Sequence, residues 1–204
     1  MKSKPAIWVD GEPVSALPLP DRGLDFGDGL FETLLLHQGS PLFLQLHMER
    51  LTAGLQALSM PDCLQRAEAL LKTCATHYSE FRWAAMRLTV TRGPAPRGYA
   101  APENPQLRII ITAAGLDQDR SEFASPLALG WSRMRWSSQP LLAGIKHLNR
   151  LEQVLAANEA RDSGLDDVLV LDQQGHVSSL SAGNVFIYES GKLLTPALET
   201  CGIA

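Results

Sequence analysis

The chain opens on short apolar runs separated by polar–glycine pairs. AIWVDGEPVSAL, from Ala6, places two such runs about Asp10-Gly11, and FETLLLHQGSPLFL, from Phe31, places two more about Gln38-Gly39-Ser40. Runs of this length, joined by residues that tolerate a left-handed backbone, predict two β-hairpins. The period then changes. From His47, the residues Met48, Leu51, Leu55 and Leu58 fall on one helical face, and Leu64, Ala67, Leu71 and Cys74 repeat the spacing after Pro61, read as a first helical residue. RWAAMRLTVT and QLRIIIT return to strand pattern around RGPAPRGYAAPENP, a loop too long for a simple turn.

The polar piece AAGLDQDRSEFASP predicts an interdomain linker over 113–124, between a first domain at 1–112 and a second at 125–204. LALGWSRMRW resumes the strand pattern. Asn149 as N-cap with Glu152 three residues on, and Gly164 just past the end, predict a helix from Arg150 to Ser163. From Asp167 the pattern gives three strands joined at Gln174-Gly175 and Ser190-Gly191. Mixed strand and helix of this kind predict an α/β (α+β) chain of two domains.

Composition narrows the function classes. With 204 residues, 45% hydrophobic and 20% charged, the chain has ample core and no disordered character. A net charge of -4 argues against non-specific binding to nucleic acid or to an acidic membrane. Cys63, Cys74 and Cys201 are odd in number and lack ligand spacing, and the five histidines make no metal pattern, so reduced thiols and no metal site are expected. Asp10 interrupts the start before any apolar targeting segment builds, and no window reaches the length of a membrane span, so the expected location is cytoplasmic.

Against this background one position stands out. LLAGIKHLNRLEQVLAANEA sets Lys146 between an apolar run and the start of the expected helix. A lysine there is either a snorkelling surface residue or a chemical one, because a desolvated ammonium is costly unless paired or deprotonated.

Five segments in one order decide between these: DRGLDFGDGLFET, HMERL, GIKHLNRLEQ, AGNVF and LLTPALETCGI. Together they resemble the fold-type IV pyridoxal-phosphate enzymes, from about Ile7 to the last residue. That superfamily holds branched-chain and D-amino-acid aminotransferases and aminodeoxychorismate lyases. LLAGIKHLNRLEQV and TRGPAPRGY are most similar to the lyases, which implies conversion of 4-amino-4-deoxychorismate to 4-aminobenzoate and pyruvate in folate biosynthesis.

The resemblance implies that Lys146 carries pyridoxal 5'-phosphate covalently and then serves as general base and acid. An amine attacks an aldehyde only when neutral, and an apolar approach favours that form. It further implies that Arg50 of HMERL contacts the cofactor phosphate, a suitable task for a planar guanidinium. Backbone donors from SLSAG, through Ser181 and Ala182, and from Gly202 and Ile203 complete the cradle, while Asn184 contacts the ligand or holds the turn as an Asx residue. Asp21 and Asp28 in the glycine-rich segment read as turn formers. Arg92, Arg97 and Tyr99 of the long loop are candidates for an anionic, ring-containing substrate. The likeness also implies a homodimer.

Two departures stand against the family pattern. Where the family carries a glutamate that pairs with the protonated pyridine nitrogen, this chain has Ser179. A carboxylate keeps that ring cationic and strongly electron-withdrawing, whereas a hydroxyl can bond a neutral nitrogen, so transamination suffers more than elimination. The sequence also stops at Ala204, where family members continue, so the second domain reads as incomplete at its C-terminus. A lyase, an aminotransferase for D- or branched-chain amino acids, and a non-catalytic fold remnant all remain open at this point.

Overall fold

The computed structural model describes residues 6–121 and 125–203. It divides into two units, Met1–Phe123 with Lys146–Leu148, and Ala124–Ile145 with Asn149–Ala204.

The first unit is built on a six-stranded antiparallel sheet. Its strands are β1 (Ala6–Val9), β2 (Glu12–Pro13), β3 (Gly29–His37), β4 (Ser40–Pro41), β5 (Trp83–Thr91) and β6 (Arg108–Leu116), in the order β2-β1-β6-β5-β3-β4. Both expected hairpins form. Asp10 and Gly11 have φ of 54° and 95°, and Gln38 and Gly39 have 49° and 77°, the doubly left-handed turn whose twist matches antiparallel strands. The second hairpin is shorter than its apolar run suggests, because Phe43 turns left-handed and helix α2 (Leu44–Ala57) begins immediately after it. The reading that started this helix at His47 is therefore corrected. The next helix, α3 (Leu64–Ala75), starts beyond Pro61, where the Leu64 N–H donates to Asp62 Oδ1 at 2.9 Å.

Alternation along β3 and β5 makes two unlike faces. Leu30, Leu34 and Leu36 pair with Val90, Met86 and Ala84 on one face, all fully buried, and α2 packs there through Met48, Leu51 and Leu55. Burying this many branched side chains, at about 1.5 to 3 kcal/mol each, holds the unit together. Phe31, Thr33, Arg87 and Thr89 face the opposite way. β6 continues to Leu116, into the stretch read as linker, because Ala113 to Leu116 pair with Met86 to Trp83. Residues 122–124 of that stretch lie outside the described residues.

DRGLDFGDGLFET, whose aspartates read as turn formers, contains a short helix, α1 (Arg22–Phe26), capped by the Asp21 side chain on the Gly23 N–H at 2.8 Å. Asp21 is fully buried and also accepts from Thr91 Oγ1 and from Arg108. Asp28 lies between two guanidinium groups, accepting from Arg22 Nε and Arg92 Nε, each at 2.8 Å. Both aspartates are thus buried or half-buried ion-pair anchors as well as turn residues.

In the second unit β7 (Leu129–Arg135) runs parallel to β8 (Asp167–Leu171) across the helix α4 (Leu151–Asp162), and β9 (Val177–Leu180) returns antiparallel. Trp136, Ala156, Ala160, Val168, Val170 and Cys201 form its core. A separate hairpin joins β10 (Ile187–Glu189) to β11 (Lys192–Leu194), so the run from Asp167 holds four strands, not three, being broken by a turn after Leu180. Asn149 does not cap α4. Arg150 occupies the cap position without a side-chain capping bond, and Glu152 instead accepts from Ser137. Gly164, at φ 68°, ends the helix as expected.

Candidate active site

Lys146 precedes α4, as its place before the expected helix implied. It begins an extended strip, Lys146–Leu148, laid along the start of β3: the Phe31 N–H donates to the Lys146 carbonyl at 2.9 Å, and the Leu148 N–H donates to the Gly29 carbonyl at 3.0 Å. Gly29 makes this approach possible. A Cβ there would stand 2.4 Å from the Val90 carbonyl oxygen and 2.8 Å from Leu148 Cδ1. The strip aims the lysine side chain over the Phe31 ring, with Nζ 4.9 Å from its centroid.

The same ring carries a second cation. Arg87 Cζ stands 3.6 Å from the Phe31 centroid, so the lysine amine and the guanidinium are no farther apart than the sum of those two distances. Thr33 is opposite Arg87 and Thr89 opposite Phe31, which makes Phe31 and Arg87 diagonal neighbours on one face of the sheet. Burial lowers the Arg87 pKa, and among the described residues no carboxylate pairs with it. A half-buried guanidinium on an aromatic face is a ready receptor for an anion.

Arg50 engages a carboxylate on the other face. Its Nε donates to Glu32 Oε1 at 2.8 Å and its second amino group to Glu32 Oε2, which His47 Nδ1 also contacts at 2.8 Å. Burial pushes the Glu32 carboxyl upward, but the hydrogen bonds and charges of Arg50 and His47 outweigh it and hold the group below the usual carboxylate range. His47, one of the five histidines that make no metal pattern, belongs to this ion cluster.

The three loop candidates separate. Arg92 is buried, not on an exposed loop, and its guanidinium is committed to Asp28 and to the carbonyls of Leu58 and Ser59. Arg97 and Tyr99 are exposed, and the Tyr99 ring meets Phe26 edge-on at 5.3 Å. Arg22 fixes the loop beside them by donating to the carbonyls of Gly98 and Tyr99 at 2.9 and 2.6 Å.

The second unit carries the remaining candidates on one tight turn. Leu180 N–H donates to the Gly183 carbonyl at 2.8 Å, Ser179 bridges to Asn184, and the Ser181 N–H is taken by Asp167 Oδ1 at 3.1 Å. Ala182 and Asn184 are exposed, and among the described residues the Asn184 side chain makes no hydrogen bond, so the backbone rather than an Asx bond closes the turn. The Ser179 hydroxyl accepts from Trp136 Nε1 at 2.9 Å and donates to the Leu180 carbonyl at 3.0 Å. Gly202 and Ile203 lie against Gly144, whose N–H donates to the Gly202 carbonyl at 3.1 Å.

Residues 29–204 match the amino-transferase class IV family. The chain belongs to that family. It is 34% identical to an aminodeoxychorismate lyase of Vibrio harveyi over 97% of this chain and 73% of that protein. It is 30% identical to a D-alanine aminotransferase of Listeria innocua over 91% of this chain and 64% of the enzyme, so it spans less than two thirds of that relative. A solved 4-amino-4-deoxychorismate lyase from Pseudomonas aeruginosa superimposes with a TM-score of 0.85 at 37% identity, covering 97% of this chain and 72% of that one. The fold is that of the fold-type IV pyridoxal-phosphate enzymes.

For a class IV protein the donors of each unit fit a phosphorylated aldehyde. The first unit offers an amine on an apolar ring and an arginine locked by a buried carboxylate. The second offers a turn of small residues on which Ala182 and Asn184 are exposed. No metal-binding cluster occurs among the described residues. Sequence reasoning missed Phe31, Arg87, Glu32 and Trp136. A signal existed for two of them, since Glu32 interrupts the apolar run FETLLL and Arg87 interrupts WAAMRLTV.

Proposed function

We propose that this class IV protein is a pyridoxal-phosphate-dependent lyase that converts 4-amino-4-deoxychorismate to 4-aminobenzoate and pyruvate. Pyridoxal 5'-phosphate is its cofactor. The observation that carries the reading is the Phe31 ring shared by the Lys146 amine and the Arg87 guanidinium. The likeness to two lyases along nearly the whole chain supports it.

When bound, the cofactor supplies an aldehyde and an electron-accepting ring. Lys146 provides the amine that attaches it and then the base that takes the proton from the substrate carbon bearing nitrogen. The Phe31 ring lies beneath the amine and orients it. Arg50, held by Glu32, contacts the phosphate. Among the second unit's candidates, Ala182, Gly202 and Ile203 offer backbone donors and Asn184 a side-chain amide, whereas the Ser181 N–H is already taken by Asp167. Arg87 receives a substrate carboxylate, while Arg97 and Tyr99 meet the substrate from the loop that Arg22 and Arg92 stabilise.

The reaction balances without an oxidant. The C–H bond at the amine-bearing carbon breaks, a ring double bond forms, and the neighbouring C–O bond breaks with its electrons on the enolpyruvyl group. The proton removed by the base is returned to that group as pyruvate, and the ring becomes aromatic.

A second reading, amino transfer, is favoured by the likeness to a D-alanine aminotransferase and opposed by Ser179. Incubation with aminodeoxychorismate should yield equal amounts of 4-aminobenzoate and pyruvate, whereas D-alanine or leucine with 2-oxoglutarate should yield little keto acid. Fast amino transfer without 4-aminobenzoate would replace the first reading by the second. We further propose a cytoplasmic homodimer. The three free, buried thiols suit a reducing compartment, and burial pushes the Cys63 thiol up to about 11. Among the described residues no helix is long and apolar enough to cross a membrane.

A further inference from the structure

The indole of Trp136 ends on Ser179. Trp136 is 3% exposed in the core of the second unit, and its Nε1–H donates to Ser179 Oγ at 2.9 Å. The hydroxyl passes its own proton to the Leu180 carbonyl at 3.0 Å. A serine hydroxyl has one proton and an indole nitrogen is a donor only. Ser179 is therefore left with no proton to give, no negative charge to offer, and a donor aimed at its oxygen.

A pyridine nitrogen stays protonated inside a protein when an anion stands beside it, as a carboxylate does. The pair found here supplies the opposite environment. Resting on the reading of Ser179 as the residue that faces the cofactor's ring nitrogen, we propose that Trp136 is a positioning residue that fixes the Ser179 hydroxyl and leaves that nitrogen unprotonated and without a donor. The ring then withdraws electrons weakly, so the site selects reactions in which a departing group takes the electron pair released at the substrate carbon. Amino transfer, which leaves that pair on the cofactor, is selected against. The specificity arises from two residues in different strands or loops, one of which, Trp136, has no part in any motif of the sequence.

The test loads the protein with pyridoxal phosphate labelled with nitrogen-15 in its ring and reads that nitrogen by NMR. The expected signal is that of an unprotonated, non-hydrogen-bonded pyridine. Trp136→Phe leaves the hydroxyl held by the Leu180 carbonyl alone and free to swing toward the ring, giving a small upfield shift that disappears when Ser179→Ala is added. Ser179→Ala alone leaves the ring signal in place but lowers Tm, because the buried indole N–H loses its acceptor, and the double variant recovers that loss. Ser179→Glu moves the signal far upfield, to the protonated form. A protonated ring in the unaltered protein, a ring signal moved by Ser179→Ala, or one unmoved by Trp136→Phe would each overturn the proposal while the cofactor remains bound. Absence of any bound label would overturn this proposal together with the cofactor site on which it rests.

Discussion

Arg50 grips Glu32 with two prongs, Nε to Oε1 at 2.8 Å and an amino group to Oε2, on a carboxylate that is 1% exposed. The arginine expected to hold phosphate is thus first a structural partner of a buried acid. Replacing Arg50 by Ala leaves that acid with His47 alone and should destabilise the fold by up to about 3 to 5 kcal/mol, the range for breaking a buried pair. Arg50→Ala also removes a phosphate donor and should weaken cofactor binding by about 1 to 3 kcal/mol. Urea unfolding and cofactor titration read the two effects separately; a stability loss with unchanged affinity would confine Arg50 to its structural task.

The same pair makes stability depend on acid. Since the folded-state pKa of Glu32 is depressed, its contribution is present above the unfolded carboxylate value of about 4.3 and is lost as pH falls through the lower folded value. Glu32→Gln should therefore cost about 1 to 3 kcal/mol near neutral pH, with the gap to the parent protein closing in acid. A gap independent of pH would show that charge plays no part.

Arg87 and Arg92 both interrupt apolar surroundings but should behave differently. Arg87→Met removes no protein ion pair and should raise KM for a carboxylate substrate about 10- to 100-fold, the equivalent of a charge-assisted bond, with little change in Tm. Arg92→Met leaves Asp28 with Arg22 alone and opens the bonds to Leu58 and Ser59, so it should lower Tm first. Steady-state kinetics and thermal unfolding of the two variants check the division; an unaltered KM for Arg87→Met would remove it from the substrate site.

Gly29→Ala tests how Lys146 is placed. The added methyl meets the Val90 carbonyl at 2.4 Å, a backbone atom that cannot step aside, as well as Leu148. The expected result is a loss of about 1 to 3 kcal/mol and displacement of the strip that carries the lysine, seen as lower Tm and slower attachment of cofactor. Normal attachment would show that the strip tolerates the shift.

What could be read from the chain alone was local. Asp10-Gly11 and Gln38-Gly39 announce their turns because a polar residue and a glycine accept left-handed φ. The buried faces of α2 and α3 follow from helical spacing, through Met48, Leu51 and Leu55 in one and Ala67, Leu71 and Cys74 in the other. Lys146 was legible through its resemblance to a known segment. The ring beneath its amine was not, because Phe31 and Arg87 meet only after β3 and β5 take their register, and Glu32 finds Arg50 only when α2 folds over β3. Helix boundaries moved where tertiary bonds competed, as at Glu152, whose carboxylate serves Ser137 instead of a cap. Asp28 read as a turn former because nothing in its neighbourhood announces that Arg92 closes on it from another strand end.

Whether Lys146 carries the cofactor is tested most directly by incubating the protein with pyridoxal phosphate, reducing with borohydride and mapping peptides by mass spectrometry. The predicted result is a phosphopyridoxyl group on the peptide containing Lys146, and none on that peptide or elsewhere in Lys146→Ala. Attachment at another lysine, or the same yield of labelled protein from Lys146→Ala, would contradict it.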